Sequence, residues 1–337
     1  MKPKLPFIVF ELTSVCNLNC RYCYNIWKRP DSEDTFFNSY RKAKKTIRRI
    51  FKIADVGQVT FSGGEPLLAE RFSEIVLYVR MKRKPVAIIS NGNAGSKESY
   101  QQLISLGASF FEFPIHSQNA ETHDFMTRIP GSWNKAVQSA KQVLELNGSV
   151  VAVIVITKAN TAQIAETLAF IQSLGINRVM LNRYNIGGNG IADQQNILPT
   201  KENLNEAFRV ANETGKKLGM VLSSNVCTPL CYIDPENYPD IAFTACSSNI
   251  INKPLTVDLD GNMRICNHSP IVIGNIFRNK INDILSSPYL RQWTDIVPEF
   301  CSDCEKFSNC LGGCRAASEQ MGFSLNHVDP ILTINQD

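Results

Sequence analysis

The stretch Phe7-Ile8-Val9-Phe10-Glu11-Leu12-Thr13-Ser14-Val15-Cys16-Asn17-Leu18-Asn19-Cys20-Arg21-Tyr22-Cys23 joins a short apolar run to three thiols in one loop. Its opening reads as a buried strand, Phe7 to Leu12, too short for a helix and rich in β-formers. The thiols that follow are separated by three residues and then two. Three thiolates in one loop can hold three corners of an iron-sulfur cube, leaving the fourth iron open to an exogenous ligand. An open coordination position is what separates a catalytic metal site from a structural one. A zinc site, or three buried thiols, would use the same residues, so the surroundings must decide.

Outward from that strand, short β-rich runs alternate with helical patterns as far as about residue 224. Strands are predicted at Phe7 to Leu12, Gln58 to Phe61, Val86 to Ile89, Phe110 to Ile115, Val150 to Ile156 and Arg178 to Leu181, with a weaker one at Met220 to Ser223. Helical stretches fall near residues 36–54, 68–82, 97–106, 132–147, 161–174 and 201–218. The expected fold class is therefore α/β, a partial (β/α)6 TIM-like barrel over residues 1–225. In such folds ligands sit at the carboxyl ends of the strands, where the cysteine loop lies. After residue 225 helical periodicity fades and eight of the eleven cysteines appear. Residues 226–337 are expected to form a small Cys-rich domain held by metal rather than by a large apolar core. The last residues, Thr333 to Asp337, are expected to lack fixed structure.

Thirty-five Lys and Arg against 31 Asp and Glu give a net charge of +4, which does not suggest a nucleic-acid binder. The densest basic stretch, Arg41 to Lys52, carries Ile47, Ile50, Phe51 and Ala54 at helical spacing and reads as a helix with a solvated face. The apolar run at Phe7 to Phe10 is ended by Glu11, too early for a signal peptide, and nothing later is long enough to span a membrane. A cytoplasmic location is expected, where thiols stay reduced and an odd set of eleven cysteines points to metal or redox chemistry.

The three-cysteine spacing, with aromatic Tyr22 before the last thiol, resembles the signature of the radical S-adenosylmethionine superfamily. That resemblance implies a 4Fe-4S cluster held by Cys16, Cys20 and Cys23, with Tyr22 near the adenine. A second motif, Ser62-Gly63-Gly64-Glu65 after the second strand, is similar to the segment whose backbone binds the cofactor's methionine ammonium. Paired glycines let main chain approach where a Cβ would exclude it. Ser90 and Asn91 after the third strand resemble the family's stretch near the ribose. At the end of the fourth strand, Pro114 and His116 stand where many relatives carry Ser and Asp. His116 is a weak catalytic candidate; a hydrogen-bonded structural histidine fits it equally.

Cys246, Cys266, Cys301, Cys304, Cys310 and Cys314 resemble the SPASM extension of these enzymes, which carries up to two auxiliary iron-sulfur clusters. By resemblance Cys246, Cys266 and Cys314 hold the first and Cys301, Cys304 and Cys310 the second. Gly261, in Val257 to Met263, reads as a hairpin turn that brings Cys246 and Cys266 together. The family pattern ends in a seventh cysteine just past an Asp-Pro, but here Asp329-Pro330 is followed by Ile331 and Leu332. Each set thus lacks a fourth protein ligand. Cys227 and Cys231 are candidates to supply what is missing, with His327 or Asp329 as other possible ligands of the second cluster. A zinc ribbon at Cys301 to Cys314 has the same ligand types.

The resemblance implies reductive cleavage of S-adenosylmethionine to a 5'-deoxyadenosyl radical that abstracts hydrogen from a substrate carbon. The expected outcome is oxidative modification or crosslinking of a peptide, with electrons from a donor such as flavodoxin or ferredoxin. The formylglycine-making branch carries an acidic residue directly after the second extension cysteine, whereas Cys266 is followed by Asn267. The first strand begins near residue 7, so peptide recognition is expected to be direct or through a separate carrier protein. The alternatives are a small-molecule oxidase or decarboxylase acting on a tetrapyrrole, sugar or cofactor precursor, and a zinc-stabilised binding protein without turnover.

Overall fold

The computed structural model describes residues 2–28, 39–247 and 249–334. Its backbone is one sheet, built from β1 (Lys4–Thr13), β2 (Asp55–Gly63), β3 (Val86–Ile89), β4 (Phe110–Pro114), β5 (Val150–Ile156), β6 (Arg178–Arg183), β7 (Val221–Ser224) and β8 (Ile241–Phe243), all parallel. Three further strands, β9 (Thr256–Val257), β10 (Asn262–Arg264) and β11 (Val272–Asn275), extend the β1 edge, giving the order β11-β10-β9-β1-β2-β3-β4-β5-β6-β7-β8. Strands covered on both faces read as continuous apolar runs. Ile8, Phe10 and Leu12 of β1 and Ala152, Ile154 and Ile156 of β5 are accordingly buried.

The first five large crossovers are α1 (Ser39–Ile53), α2 (Phe72–Met81), α3 (Lys97–Ser105), the pair α4 (Ala120–Thr127) and α5 (Ser132–Glu145), and α6 (Ile164–Ser173). α7 (Gly190–Ile197) and α8 (Lys201–Leu218) join β6 to β7. α1 buries Ile47 and Ile50 of the expected apolar stripe, together with Ala43, while Phe51 is half-buried. Its polar side chains also work: Thr46 Oγ1 donates to Leu259 O in the β9–β10 turn at 2.8 Å, and Arg49 Nε to Ile276 O, just past β11, at 2.9 Å.

The alternating α/β architecture is as expected, and the sheet goes further. The sheet runs beyond six strands: the weak seventh is present, and β8, from the Cys-rich stretch, adds an eighth. Residues 36–38 of the expected first helix lie outside the described residues. Beyond β11 come only short helices, α9 (Ile281–Leu285), α10 (Pro288–Asp295), α11 (Phe307–Cys310), α12 (Arg315–Gln320) and α13 (Ile331–Ile334). The last of these corrects the expectation for Thr333, because Ile331 and Leu332 are buried and hold that turn. Residues 335–337 lie outside the described residues. No helix is long and apolar enough to cross a membrane among the described residues.

Candidate active site

β1 delivers the cysteine loop at its carboxyl end. Thr13 Oγ1 accepts from Val15 N at 3.1 Å, turning the chain off the sheet. Cys23 N donates to Cys20 O at 3.2 Å and Arg21 N to Met126 O at 2.9 Å. Arg21 is held by Asp193, which also takes Arg128. The three thiols face one another closely enough to interact electrostatically, and burial pushes Cys20 up to about 12 and raises Cys16. Buried thiolates that repel one another need a cation in their midst; an iron cluster both supplies that charge and requires the deprotonated sulfurs. Asn91 Nδ2 points at Cys16 Sγ from 3.6 Å and donates to Asn17 Oδ1 at 2.8 Å.

The glycine pair is built against this loop. Gly64 N donates to Thr13 O and Glu65 N to Val15 O, both at 2.7 Å. A Cβ on Gly64 would sit 2.0 Å from Val15 O, and Gly63 has φ +127°. The close approach that these glycines allow is therefore to the cysteine loop's own main chain. Ser62, one step earlier, pairs in register with Glu11 of β1. Glu65 is wholly buried, and its carboxylate accepts from Leu67 N (3.0 Å), Ser90 Oγ (2.9 Å) and Asn91 N (2.7 Å). Burial raises it to about 7. Ser62, Gly63, Gly64, Glu65, Ser90 and Asn91 are thus gathered beside the three thiols, with Glu65 as the clasp.

Tyr22 packs edge-on against His116, centroids 4.6 Å apart, and His116 stacks on His123 at 5.0 Å. His116 is wholly buried; its Nδ1 accepts from Val155 N at 3.2 Å, and burial drives it well below the usual imidazole range. It is a neutral ring whose Nε2 has no partner among the described residues.

The eight later cysteines fall into two sets of four. Cys227 lies close enough to Cys246, Cys314 and Cys266 to interact with each. Cys246 is pulled down to about 6, first by Cys227 and then by Lys253, whose Nζ lies 3.3 Å from its sulfur. Asn185 Nδ2 donates to Cys314 Sγ at 3.3 Å. In the second set Cys301 interacts with Cys310, Cys304 and Cys231. Neither set is drawn in as a single ion would draw it: among the described residues no three His, Cys, Asp or Glu side chains form a ready single-ion site. Four sulfurs on a cubane stand apart by the core between them, whereas around zinc they nearly touch.

Several neighbours of these sets carry no signal in the sequence. Arg183, at the end of β6, donates to Cys227 O (2.8 Å) and Thr228 Oγ1 (3.0 Å) and pairs with Asp329, which accepts from Cys314 N at 2.8 Å. Tyr24 interacts with both Cys23 and Cys266 and takes a hydrogen bond from Asn267. Gln320 Nε2 donates to Tyr24 O and His268 O, tying α12 to the first loop. Several of these contacts join distant positions, Tyr24 to Gln320 across 296 residues, so no local pattern announces them.

Two family models match: the radical SAM superfamily over residues 10–171 and the SPASM iron-sulfur cluster-binding domain over residues 246–305. PqqA peptide cyclase of Granulibacter bethesdensis is 22% identical over 97% of this chain and 87% of its own length. The subtilosin biosynthesis protein AlbA of Bacillus subtilis is 28% identical over 90% of this chain and 66% of its own. Among solved structures, Streptococcus suis SuiB bound to precursor peptide SuiA superposes with TM-score 0.72 at 14% identity, covering 98% of this chain and 76% of that one. Membership brings S-adenosylmethionine, a 4Fe-4S cluster and auxiliary iron-sulfur clusters as cofactors, and sets aside the zinc-stabilised binding protein. The chain is an enzyme of the radical SAM superfamily with a SPASM domain.

Proposed function

We propose that this enzyme modifies a peptide oxidatively, by crosslinking or by oxidising a residue, after hydrogen abstraction from a substrate carbon. The observation that carries the reading is the clasp of two loops at the carboxyl ends of β1 and β2. It sets three thiols beside a glycine-lined main chain and a buried Glu65. Peptide-modifying relatives support the choice of substrate.

Cys16, Cys20 and Cys23 hold the first cluster. Ser62, Gly63, Gly64 and Glu65 shape the pocket for the methionine end of the cofactor, Ser90 and Asn91 that for the ribose, and Tyr22 that for the adenine. When bound, the cluster supplies the electron that splits the sulfonium. Glu65 orients by holding Asn91 N and Ser90 Oγ. His116 supports Tyr22 as a neutral packing partner rather than acting as a base. Asn267, spent on Tyr24, leaves the position after Cys266 without a base, as suits chemistry other than formylglycine formation. Residues 1–225 are the radical SAM barrel and 226–337 the auxiliary-cluster domain, with Cys227, Cys231, Cys246, Cys266, Cys301, Cys304, Cys310 and Cys314 as its ligands. The enzyme works in the cytoplasm with a flavodoxin or ferredoxin as electron donor, and meets its peptide directly or through a carrier protein.

Reconstituted without oxygen and given dithionite and S-adenosylmethionine, the protein is expected to release 5'-deoxyadenosine, and Cys20→Ala to release none. Undiminished product from that variant would refute the ligand assignment. Peptides encoded beside the gene, incubated with the enzyme, are expected to change mass. Turnover of a small molecule with every peptide unchanged would overturn the substrate class.

A further inference from the structure

No cysteine follows Asp329-Pro330 at the family's position, and among the described residues the side chains after Cys314 offer no substitute. Asp329 is wholly buried, paired with Arg183 and accepting from Cys314 N and Ile331 N, so its carboxylate is spent beside the first set. His327 is exposed, stacks on Phe323 at 4.8 Å and lies beside Ser324. Ile331 and Leu332 are packed into the core. The thiol that does reach Cys301, Cys304 and Cys310 comes from the other direction along the chain.

That thiol is Cys231, in the loop between β7 and β8. It interacts with Cys310 and Cys304, and Cys301 in turn interacts with it. Three contacts hold it there. Leu230 N donates to Cys310 Sγ at 3.4 Å, so the residue before Cys231 already touches a sulfur of the set. Lys201 Nζ donates to Cys231 O at 3.0 Å. Asp234, three residues on, pairs with Lys306 at 2.9 Å, clamping the loop to the turn between Cys304 and Cys310. Cys227, only four positions earlier, belongs to the other set.

We infer that Cys231 is the fourth sulfur ligand of the second auxiliary cluster, replacing the cysteine missing after Asp329-Pro330. The inference rests on the reading that Cys301, Cys304 and Cys310 hold a cluster. A cubane with four thiolates has no open iron. So ligated, the second cluster would offer a substrate atom no open iron, and its chemistry would be confined to relaying electrons. With Cys227 completing the first set, Cys16, Cys20 and Cys23 would be the one set of three, able to leave an iron vacant. The second set is also the more solvent-facing: Cys231 and Cys304 are exposed although Cys301 is buried, whereas no member of the first set is exposed.

The anaerobically reconstituted protein is alkylated with iodoacetamide and mapped by mass spectrometry, before and after iron is stripped by chelation. Cys231 is expected to be protected as fully as Cys301, Cys304 and Cys310, and all four to react after stripping. Cys231 alkylated while the other three stay protected would overturn the inference and leave the cluster reading intact. All four alkylated in the loaded protein would overturn both. As a second measure, Cys231→Ala and Cys231→Ser are expected to lose roughly one to four of about twelve irons per chain and to alter the second cluster's paramagnetic resonance signal. Signals of the first auxiliary cluster should persist. Full iron and an unchanged spectrum in both variants would also sink the assignment.

Discussion

The pair Arg183–Asp329 should couple the two cysteine loops of the first auxiliary set, and its strength can be worked from burial. The two side chains are 0% and 1% exposed, so solvent does not screen them. Arg183→Met leaves a buried carboxylate without its cation, a change that costs about 3–5 kcal/mol. At roughly 2.1 cal/mol/K per residue the unfolding entropy of 337 residues is about 0.7 kcal/mol/K, so the midpoint should fall by about 4–7 °C. Asp329→Leu, which strands the guanidinium, should cost a similar amount. The double variant should then cost no more than the worse single one, because neither charge is left alone. The assay is thermal unfolding of the cluster-loaded protein without oxygen, followed by circular dichroism and by the visible absorbance of the clusters. Losses that simply add in the double variant would refute the coupling.

Two further changes test single side chains. Glu65→Gln keeps one oxygen for two of its three donors but turns an amide N–H towards the third, a cost of about 1–3 kcal/mol. Affinity for S-adenosylmethionine, measured by calorimetry, should fall by roughly five- to 140-fold with iron content unchanged; unaltered affinity would remove Glu65 from the cofactor pocket. Lys253→Met removes a cation and a hydrogen bond from Cys246 Sγ and should move the first auxiliary cluster's reduction potential to a more negative value. A redox titration followed by electron paramagnetic resonance reads this, and an unmoved midpoint contradicts it.

The parts of this molecule legible in its sequence are those written locally. β3 and β5 were expected at the residues where they stand, because runs such as Val150-Val151-Ala152-Val153-Ile154-Val155-Ile156 suit only a buried strand. β8 went unread because three residues, Ile241 to Phe243, are too few for any period. α4 and α7 were missed for the same reason, each having only eight residues and little apolar periodicity. Of the site, the motif residues could be named because cluster and cofactor chemistry demands fixed spacings. The partition of Cys227 and Cys231 could not, since two thiols four positions apart look like one site until the loop shows them facing different sets. Glu65 was read as a cofactor contact, whereas its three bonds inside the protein reveal it first as the tie between two loops.

The first auxiliary set also has a mechanical consequence. In the sheet order, Cys227 and Cys246 flank β8 at one edge, while Cys266 follows β10, in the extension beyond β1 at the other. Yet Cys227 interacts with Cys246, Cys266 and Cys314 together. A cluster bound there would staple the two ends of an otherwise unclosed sheet, and its binding energy would become folding energy for both edges. β8 has three residues, and β9, which joins β10 and β11 to β1, has two, so neither end of the sheet can hold itself on by backbone bonds alone. Stripping iron should therefore raise amide hydrogen exchange in Ile241–Phe243 and across the Thr256–Arg264 hairpin by at least tenfold, the effect of losing about 1.4 kcal/mol of local stability. The interior strands β3 to β5, which touch no cysteine set, should keep their protection. Equal loosening of β4 and β8 would mean that iron stabilises the fold globally, and unchanged protection at both edges would mean that the sheet needs no staple.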